Sequence, residues 1–270
     1  MIGKLDVFTN STGLKASLPK SKIFFGGIDE STQKSLQEVS GFAVGSLPVK
    51  YRGVPLDSKK LTINKCQQLI HKMTARLSHW STRLLSYAGR IHLVRSVLFA
   101  IANYWMQIFL LPKKVIHHID QLCRIFIWTG KDMPSKKAPV SWKSLCDPMS
   151  AGGRNLIFLG NWNKAAISKL LWYVCAKKNK LWIRWIHLYY IKNADPRSYK
   201  PPIHSSWSMK AVFKNNESIC QKDAWKISME KDAYSTKRMY KELQGIKEKV
   251  MWRRLFFGNL ARPEPLSSSG

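Results

Sequence analysis

KCQQLIHKMTARLSHW, running from Lys65 to Trp80, sets the reading of the whole chain. Its apolar residues Cys66, Leu69, Ile70, Met73, Leu77 and Trp80 step by three and four, the period that returns side chains to one face of an α-helix. Lys65, Lys72, Arg76 and His79 fall mostly elsewhere on the wheel. The pattern predicts an amphipathic helix, beginning after Leu61, with an apolar stripe and a basic opposite side.

The same period continues downstream. After a turn over Ser86 to Gly89, a long helix is expected with Val94, Val97, Leu98, Ile101, Tyr104, Trp105 and Ile108 on one side. Pro112 suits the first turn of a third helix, where a missing N–H costs nothing. Val115, Ile116, Ile119, Leu122, Cys123 and Phe126 form its stripe, and Gly130 ends it. Residues 131–160 are looser, with Pro134, Pro139, Pro148 and Gly152-Gly153. Helices are expected again at Asn163–Lys177 and Leu181–Lys192, before a linker marked by Pro196, Pro201 and Pro202.

Upstream of Leu61 the period changes. Lys22 to Phe25 runs into Gly26-Gly27, a strand-then-turn signal. Val49 to Arg52 and Val54 to Leu56 flank Gly53 as a second small hairpin, with Pro55 keeping it off the middle of a sheet. Beyond the linker the chain predicts a short helix at Trp207–Phe213 and a strand pair at Ala224–Ser228 and Ala233–Ser235. Helices follow at Thr236–Gln244 and around Val250–Phe257, and the tail PEPLSSSG reads as unstructured. The expected fold is mainly α: a helical bundle with short N-terminal β-hairpins and a small α+β C-terminal segment.

Charge narrows the function. Among 270 residues, 45 Lys and Arg face 16 Asp and Glu, a formal net charge of +29. A polyanionic partner relieves such self-repulsion. Between Asp57 and Asp120 no acid occurs, yet ten basic residues do: Lys59, Lys60, Lys65, Lys72, Arg76, Arg83, Arg90, Arg95, Lys113 and Lys114. Pro148 to Ala194 is likewise acid-free and holds eight. Solvated helix faces normally mix signs, so this exclusion points to nucleic acid ahead of an anionic membrane surface. Ser96 to Leu111 is uncharged but shorter than the roughly 20 residues that span a bilayer. It reads as a core helix, and no membrane segment or secretory signal is expected.

Catalytic signatures are missing from the composition. A polymerase or nuclease needs carboxylates that hold two metal ions. The one adjacent acid pair, Asp29-Glu30, follows a glycine pair and reads as a solvated turn. No G-x-S-x-G, G-x-x-x-x-G-K-[ST] or H-E-x-x-H string occurs. Five cysteines, Cys66, Cys123, Cys146, Cys175 and Cys220, are scattered without C-x-x-C spacing, giving neither a disulfide framework nor a zinc site. His117-His118 lacks a second ligand pair, and both glycine pairs read as turns. No catalytic residue, metal or cofactor is expected. The eleven tryptophans could stack on bases, but tryptophan at helical spacing is more often core.

Particular strings add a family. TGLKASLPKSKIFFGG (Thr12–Gly27) and GFAVGSLPVKYRGVPL (Gly41–Leu56) resemble the segment after the catalytic strand, and the primer grip, of plant LINE-type (non-LTR) retrotransposon reverse transcriptases. LSYAGRI (Leu85–Ile91), FLLPKKVI (Phe109–Ile116), Phe126-Ile127-Trp128, KKAPV (Lys136–Val140), WNKA (Trp162–Ala165) and VMWR (Val250–Arg253) continue the resemblance in order along most of the chain.

The resemblance implies a palm remnant with a primer-grip-like hairpin over 1–57 and thumb-like helices over 58–130. A helical connector over 131–200 and the start of a zinc-binding module over 201–270 follow. Lys20 would approach the incoming nucleotide's phosphates, and Tyr51, Gly53 and Val54 the primer end. Arg76, Arg83, Arg90 and Arg95 would track the template–primer backbone, with Lys59, Lys60, Lys72, Lys113 and Lys114 as further phosphate contacts. Arg52 and Ser17 depart from the family's usual Leu and Asn. The family's F/Y-A-D-D strand would precede Met1 and its Cys and His ligands would follow Pro263. The expectation is therefore a non-catalytic fragment that binds RNA, DNA or their hybrid without sequence choice, with nuclear location implied by the family. A decayed element with no stable product, and a domesticated RNA-binding protein, are the alternatives.

Overall fold

The structure, a computed structural model, describes residues 2–51, 53–57, 59–131 and 139–251. They fall into two compact units divided between Ser58 and Lys59. Helix dominates the second unit and is the commonest regular element of the first, so the chain is mainly α as its periodicity predicts.

In the first unit, α1 (Ile2–Thr12) precedes β1 (Lys22–Ile23), α2 (Glu30–Ser40) and β2 (Ala43–Val44). Strands β3 (Val49–Tyr51) and β4 (Val54–Leu56) follow. One expected hairpin is present: β3 and β4 pair antiparallel, Val49 opposite Leu56 and Tyr51 opposite Val54. Gly53 supplies their turn with φ +79°. The other is not a hairpin, because β1 pairs with β2 in parallel, Lys22 opposite Ala43, across the intervening α2. Asp29, expected in a solvated turn, caps α2: its carboxylate accepts the Thr32 amide at 3.0 Å and the Thr32 hydroxyl at 2.8 Å. These bonds and one from the Ser31 hydroxyl hold it well below the usual carboxylate range. Among this unit's described side chains Val54 alone is buried, at 1% exposure. Phe8, Leu18, Phe24, Val39 and Val44 stand exposed.

In the second unit, α3 (Gln67–Ser81) buries Leu69, Met73 and Leu77, the stripe its spacing predicts. Each such side chain contributes about 1.5–3 kcal/mol by leaving water. α4 (Tyr87–Leu93) is capped by Ser86, whose hydroxyl accepts the Gly89 amide at 3.1 Å. Gly89 thus lies inside a first helical turn rather than in the turn expected over 86–89. A π-helical stretch, Val94–Leu98, joins α4 to α5 (Phe99–Met106). α6 (Lys113–Thr129) follows Pro112 and ends at Gly130, φ +71°.

α7 (Trp142–Cys146) leads to α8 (Leu159–Cys175), the axis of the unit. Leu171, Val174 and Trp172 of α8 pack with Met209, Phe213, Trp225 and Met239 from later helices. Those helices are α9 (Leu181–Ile186), α10 (Trp207–Phe213), α11 (Asn216–Cys220), α12 (Asp223–Glu230) and α13 (Thr236–Gln244). α8 also contacts α5 and α6. The strand pair expected at 224–228 and 233–235 does not form. α12 occupies the first, burying Ala224, Trp225 and Ser228 at helical spacing, and Ser235 caps α13 by accepting the Arg238 amide. The C-terminal described segment is therefore helical, without the expected β component. The helix expected around Val250–Phe257 lies almost wholly outside the described residues.

Cys66, Cys123 and Cys146 are buried in the core, and desolvation pushes Cys66 up to about 11, while Cys175 and Cys220 are half-buried. All five cysteines are free.

Candidate nucleic-acid interface

On a flank of α3, about a quarter turn from its buried stripe, Lys72, Arg76 and His79 are exposed. Arg83, just past the helix end, extends the row, its Nη2 lying 3.3 Å from His79 Nε2. From Lys72 to Arg83 the row runs about 16 Å along the axis, given ~1.5 Å per helical residue. No carboxylate occurs on α3 to neutralise it. Packing therefore orients the charge: three buried apolar residues fix which side of α3 faces inward, and Lys72, Arg76 and Arg83 line up on an exposed flank beside it.

Two arginines of the expected set serve the fold. Arg90 is half-buried and Nη1 donates to the Phe126 carbonyl at 3.4 Å, beside Gly130. A guanidinium there meets the negative end of α6, a favourable charge–dipole arrangement. Arg95 is exposed, yet Nη2 donates to the Arg154 carbonyl at 2.5 Å. Lys20, Tyr51 and Gly53 are exposed residues of the first unit, and so belong to a different compact body from the α3 row.

Lys60 and Lys113 come together in a cleft of about 810 Å³ formed by the N-terminal half of α6, α8 and α10. Lys59 and Lys114 are exposed neighbours in sequence that are not among the residues lining it. Lys113, His117 and Asp120 line the cleft from one face of α6, while Lys164 of α8 and Lys210 and Lys214 approach from the other walls. These last four positions, 120, 164, 210 and 214, are not in the expected set. No sequence signal joins them, although Asp120 has one: it ends the acid-free run beside the buried Ile119.

Asp120 is 8% exposed, and its Oδ1 has no hydrogen-bond partner. Burial pushes its carboxyl up to about 7, an effect that the nearby Trp142 indole tempers. Trp142 Nε1 itself closes no hydrogen bond of normal geometry.

The scaffold beneath the cleft is anchored by α8. Asn163 is fully buried: Nδ2 donates to the Met106 and Phe109 carbonyls at 2.9 and 2.8 Å, and Oδ1 accepts the Leu111 amide at 2.8 Å. Its neighbour Trp162 donates from Nε1 to Asn103 Oδ1 at 2.7 Å. From α13, Tyr240 accepts the Phe158 amide at 3.0 Å.

Gly152-Gly153 is a structural corner, as its sequence reading predicts. A Cβ on Gly153 would stand 2.0 Å from the Asp147 carbonyl oxygen, and the Gly153 amide donates to Pro148 at 3.1 Å. Of the tryptophans, Trp105, Trp172 and Trp225 are buried and Trp185 is exposed. Trp252 lies outside the described residues.

Among the described residues no three His, Cys, Asp or Glu side chains gather in a way that could hold a metal ion. None of the described helices is long and apolar enough to cross a membrane.

No family model matches the chain. Over 129 residues, 48% of its length, it is 31% identical to a protein of Arabidopsis thaliana named "Putative ribonuclease H protein". The aligned part covers 21% of that protein, so the chain spans about a fifth of the curated relative it matches.

Proposed function

We propose that the chain is a nucleic-acid-binding part of a LINE-type reverse transcriptase, holding template–primer by its phosphate backbone without sequence choice. On this reading 1–57 is the end of the palm, 58–130 the thumb, 131–200 a connector and 201–270 the start of a zinc-binding module. The observation that carries it is the exposed row Lys72, Arg76, His79 and Arg83 along α3, on a flank about a quarter turn from the buried Leu69, Met73 and Leu77. Cations fixed on a packed helix, with no carboxylate on that helix, suit a row of phosphates. The Arabidopsis relative, whose name assigns it to enzymes acting on nucleic acid, supports the same class of partner. RNA, DNA and their hybrid all present this backbone, and Lys20 and Tyr51 are the groups assigned to the nucleotide and primer end. On this reading the role of these residues is to bind the phosphate backbone.

Fluorescence anisotropy with a labelled primer–template is the direct test. Binding should be micromolar or tighter at low salt and weaken steeply as salt rises, because each phosphate contact releases a condensed counterion. Absence of binding at low salt, or binding indifferent to salt, would refute the reading.

A further inference from the structure

The α3 row accounts for phosphate backbone, which every nucleic acid shares, and offers no hold on bases. We propose that the exposed stripe of α9 and of the π-helical turn after it, centred on Trp185 and Tyr189, is a platform on which unpaired bases of a single strand stack. The proposal rests on the nucleic-acid reading above in taking a strand as the ligand.

Packing defines the platform. α9 runs without a break into a π-helical turn, His187–Ile191. Ile183, Ile186 and Ile191 are buried, and His187 Nε2 lies 2.9 Å from the Val174 carbonyl oxygen on α8, so the inward side is fixed. Leu181, Arg184, Trp185, Leu188 and Tyr189 recur at steps of three and four, which puts them on one side, and all five are exposed. A helix apolar on both sides is ordinarily covered on both. Here the outer side lies open.

The rings on that side are held in place. Trp185 is the one exposed tryptophan among the described residues, at 48%, and Tyr189 is exposed at 62%. Their ring centroids lie 6.0 Å apart. The half-buried Tyr190 meets Trp185 edge-on, with centroids 5.0 Å apart and planes at 63°. A π turn is wider than an α turn, and that brings a residue five positions on round to the indole. The indole is thus braced from the core side, and ordering it on binding costs little.

Charge decides between occupants. Arg184 shares the stripe and Lys192 follows it, both exposed and neither in an ion pair among the described residues. No acid occurs from Pro148 to Ala194. The next one, Asp195, turns its carboxylate to the Arg197 amide at 3.0 Å. A second copy of the chain would bring the same uncompensated positive charge and be repelled. An anionic membrane suits the charge, but its hold grows with buried apolar area, and about three turns of helix with two leucines and two rings offer little. A single strand suits both features. Any base stacks on an aromatic ring, and the phosphates between bases meet Arg184 and Lys192. A duplex keeps its bases stacked on one another and leaves the rings idle.

The test uses the full chain and three labelled probes: oligodeoxythymidine, an abasic deoxyribose-phosphate strand of the same length, and a blunt duplex. The chain should bind the thymidine strand at least about fivefold more tightly than the abasic strand. W185A/Y189A should erase that preference and leave the abasic strand and the duplex bound as before, while W185F/Y189F should retain most of it. Tyr189→Ala alone, at the more exposed ring, keeps the test sound should the double substitution disturb folding, and it should narrow the preference. Equal binding of the thymidine and abasic strands by the unaltered chain, or a preference unmoved in W185A/Y189A and Tyr189→Ala, would overturn the proposal. Binding to phosphatidylserine vesicles, or self-association, that is lost in W185A/Y189A while the strand preference stays would give the stripe to a lipid surface or a second copy instead. Duplex binding alongside any of these leaves the template–primer reading standing, and binding to none of the three nucleic-acid probes sinks both.

Discussion

Asn163 and Leu111 are joined by a fully buried hydrogen bond, Leu111 N to Asn163 Oδ1 at 2.8 Å, that spans 52 residues of sequence. With Nδ2 on the Met106 and Phe109 carbonyls, one side chain closes three polar groups of the α5–α6 connection. That connection leads directly into Lys113 at the cleft. A core amide thereby positions a surface cation.

Asn163→Ala should lower stability by about 3 kcal/mol or more, because it strands one donor and two acceptors in the interior. Urea unfolding monitored by circular dichroism measures this. A shift under about 1 kcal/mol would show that water replaces the side chain.

Gly153→Ala should destabilise by at least about 2 kcal/mol, since the new methyl collides with backbone rather than with a side chain that can turn away. Gly3→Ala, where a Cβ meets nothing within 4 Å, is the matched control and should leave the melt where it was.

The buried carboxyl predicts a pH signature. Asp120 has its folded pKa raised to about 7 from 3.8, so the folded state binds a proton that the unfolded state has released. Its contribution to stability is complete below pH 4, declines as pH rises through the interval up to 7, and is then lost. At most about 4 kcal/mol is involved, because each tenfold change in proton affinity is worth ~1.36 kcal/mol. The groups around it are Cys123 on α6, Trp142 and Cys146 on α7, and Lys113, His117, Lys164, Lys210 and Lys214 across or beside the cleft. Asp120→Asn should flatten the difference between melting temperatures at pH 5 and 8 relative to the unaltered chain, with scanning calorimetry as the measurement. An undiminished difference would place the titration elsewhere.

Charge removal on α3 has a quantitative outcome. Lys72→Gln with Arg76→Gln should weaken primer–template binding and reduce the slope of log affinity against log salt by about 2. Both residues are exposed, so the melting temperature should stay within about a degree. An unchanged slope would take the α3 row out of the interface.

Legibility in the sequence followed burial. α3, α6, α10 and α13 were readable because each puts apolar residues at steps of three and four, and Gly130 marked a real helix end. α2 was not, because it has no buried residue and hence no stripe to find; only Asp29 at its cap betrays it. Ala224 to Ser228 read as a strand because Trp225 and Ile227 favour extended backbone, yet the buried set Ala224, Trp225 and Ser228 has a helical step. The α3 cations were legible as the complement of a stripe. The cleft was not, since Lys60, Lys113, Lys164 and Lys214 become neighbours through helix packing that no local pattern encodes.

α8 is touched by α5 and α6 from earlier in the chain and by α10, α11 and α13 from later in it. That shared wall makes the second unit hard to divide. Separating the chain after Gly130 from the part that follows would leave the Met106, Phe109 and Leu111 backbone groups without the Asn163 side chain that bonds them, and the apolar side of α6 uncovered with them. Both halves would then lose their folding partner in one event. The unit should melt in a single transition with no populated half-molecule, and a gene that loses the coding sequence for α8 loses the α3 surface too, though the two share no stretch of sequence.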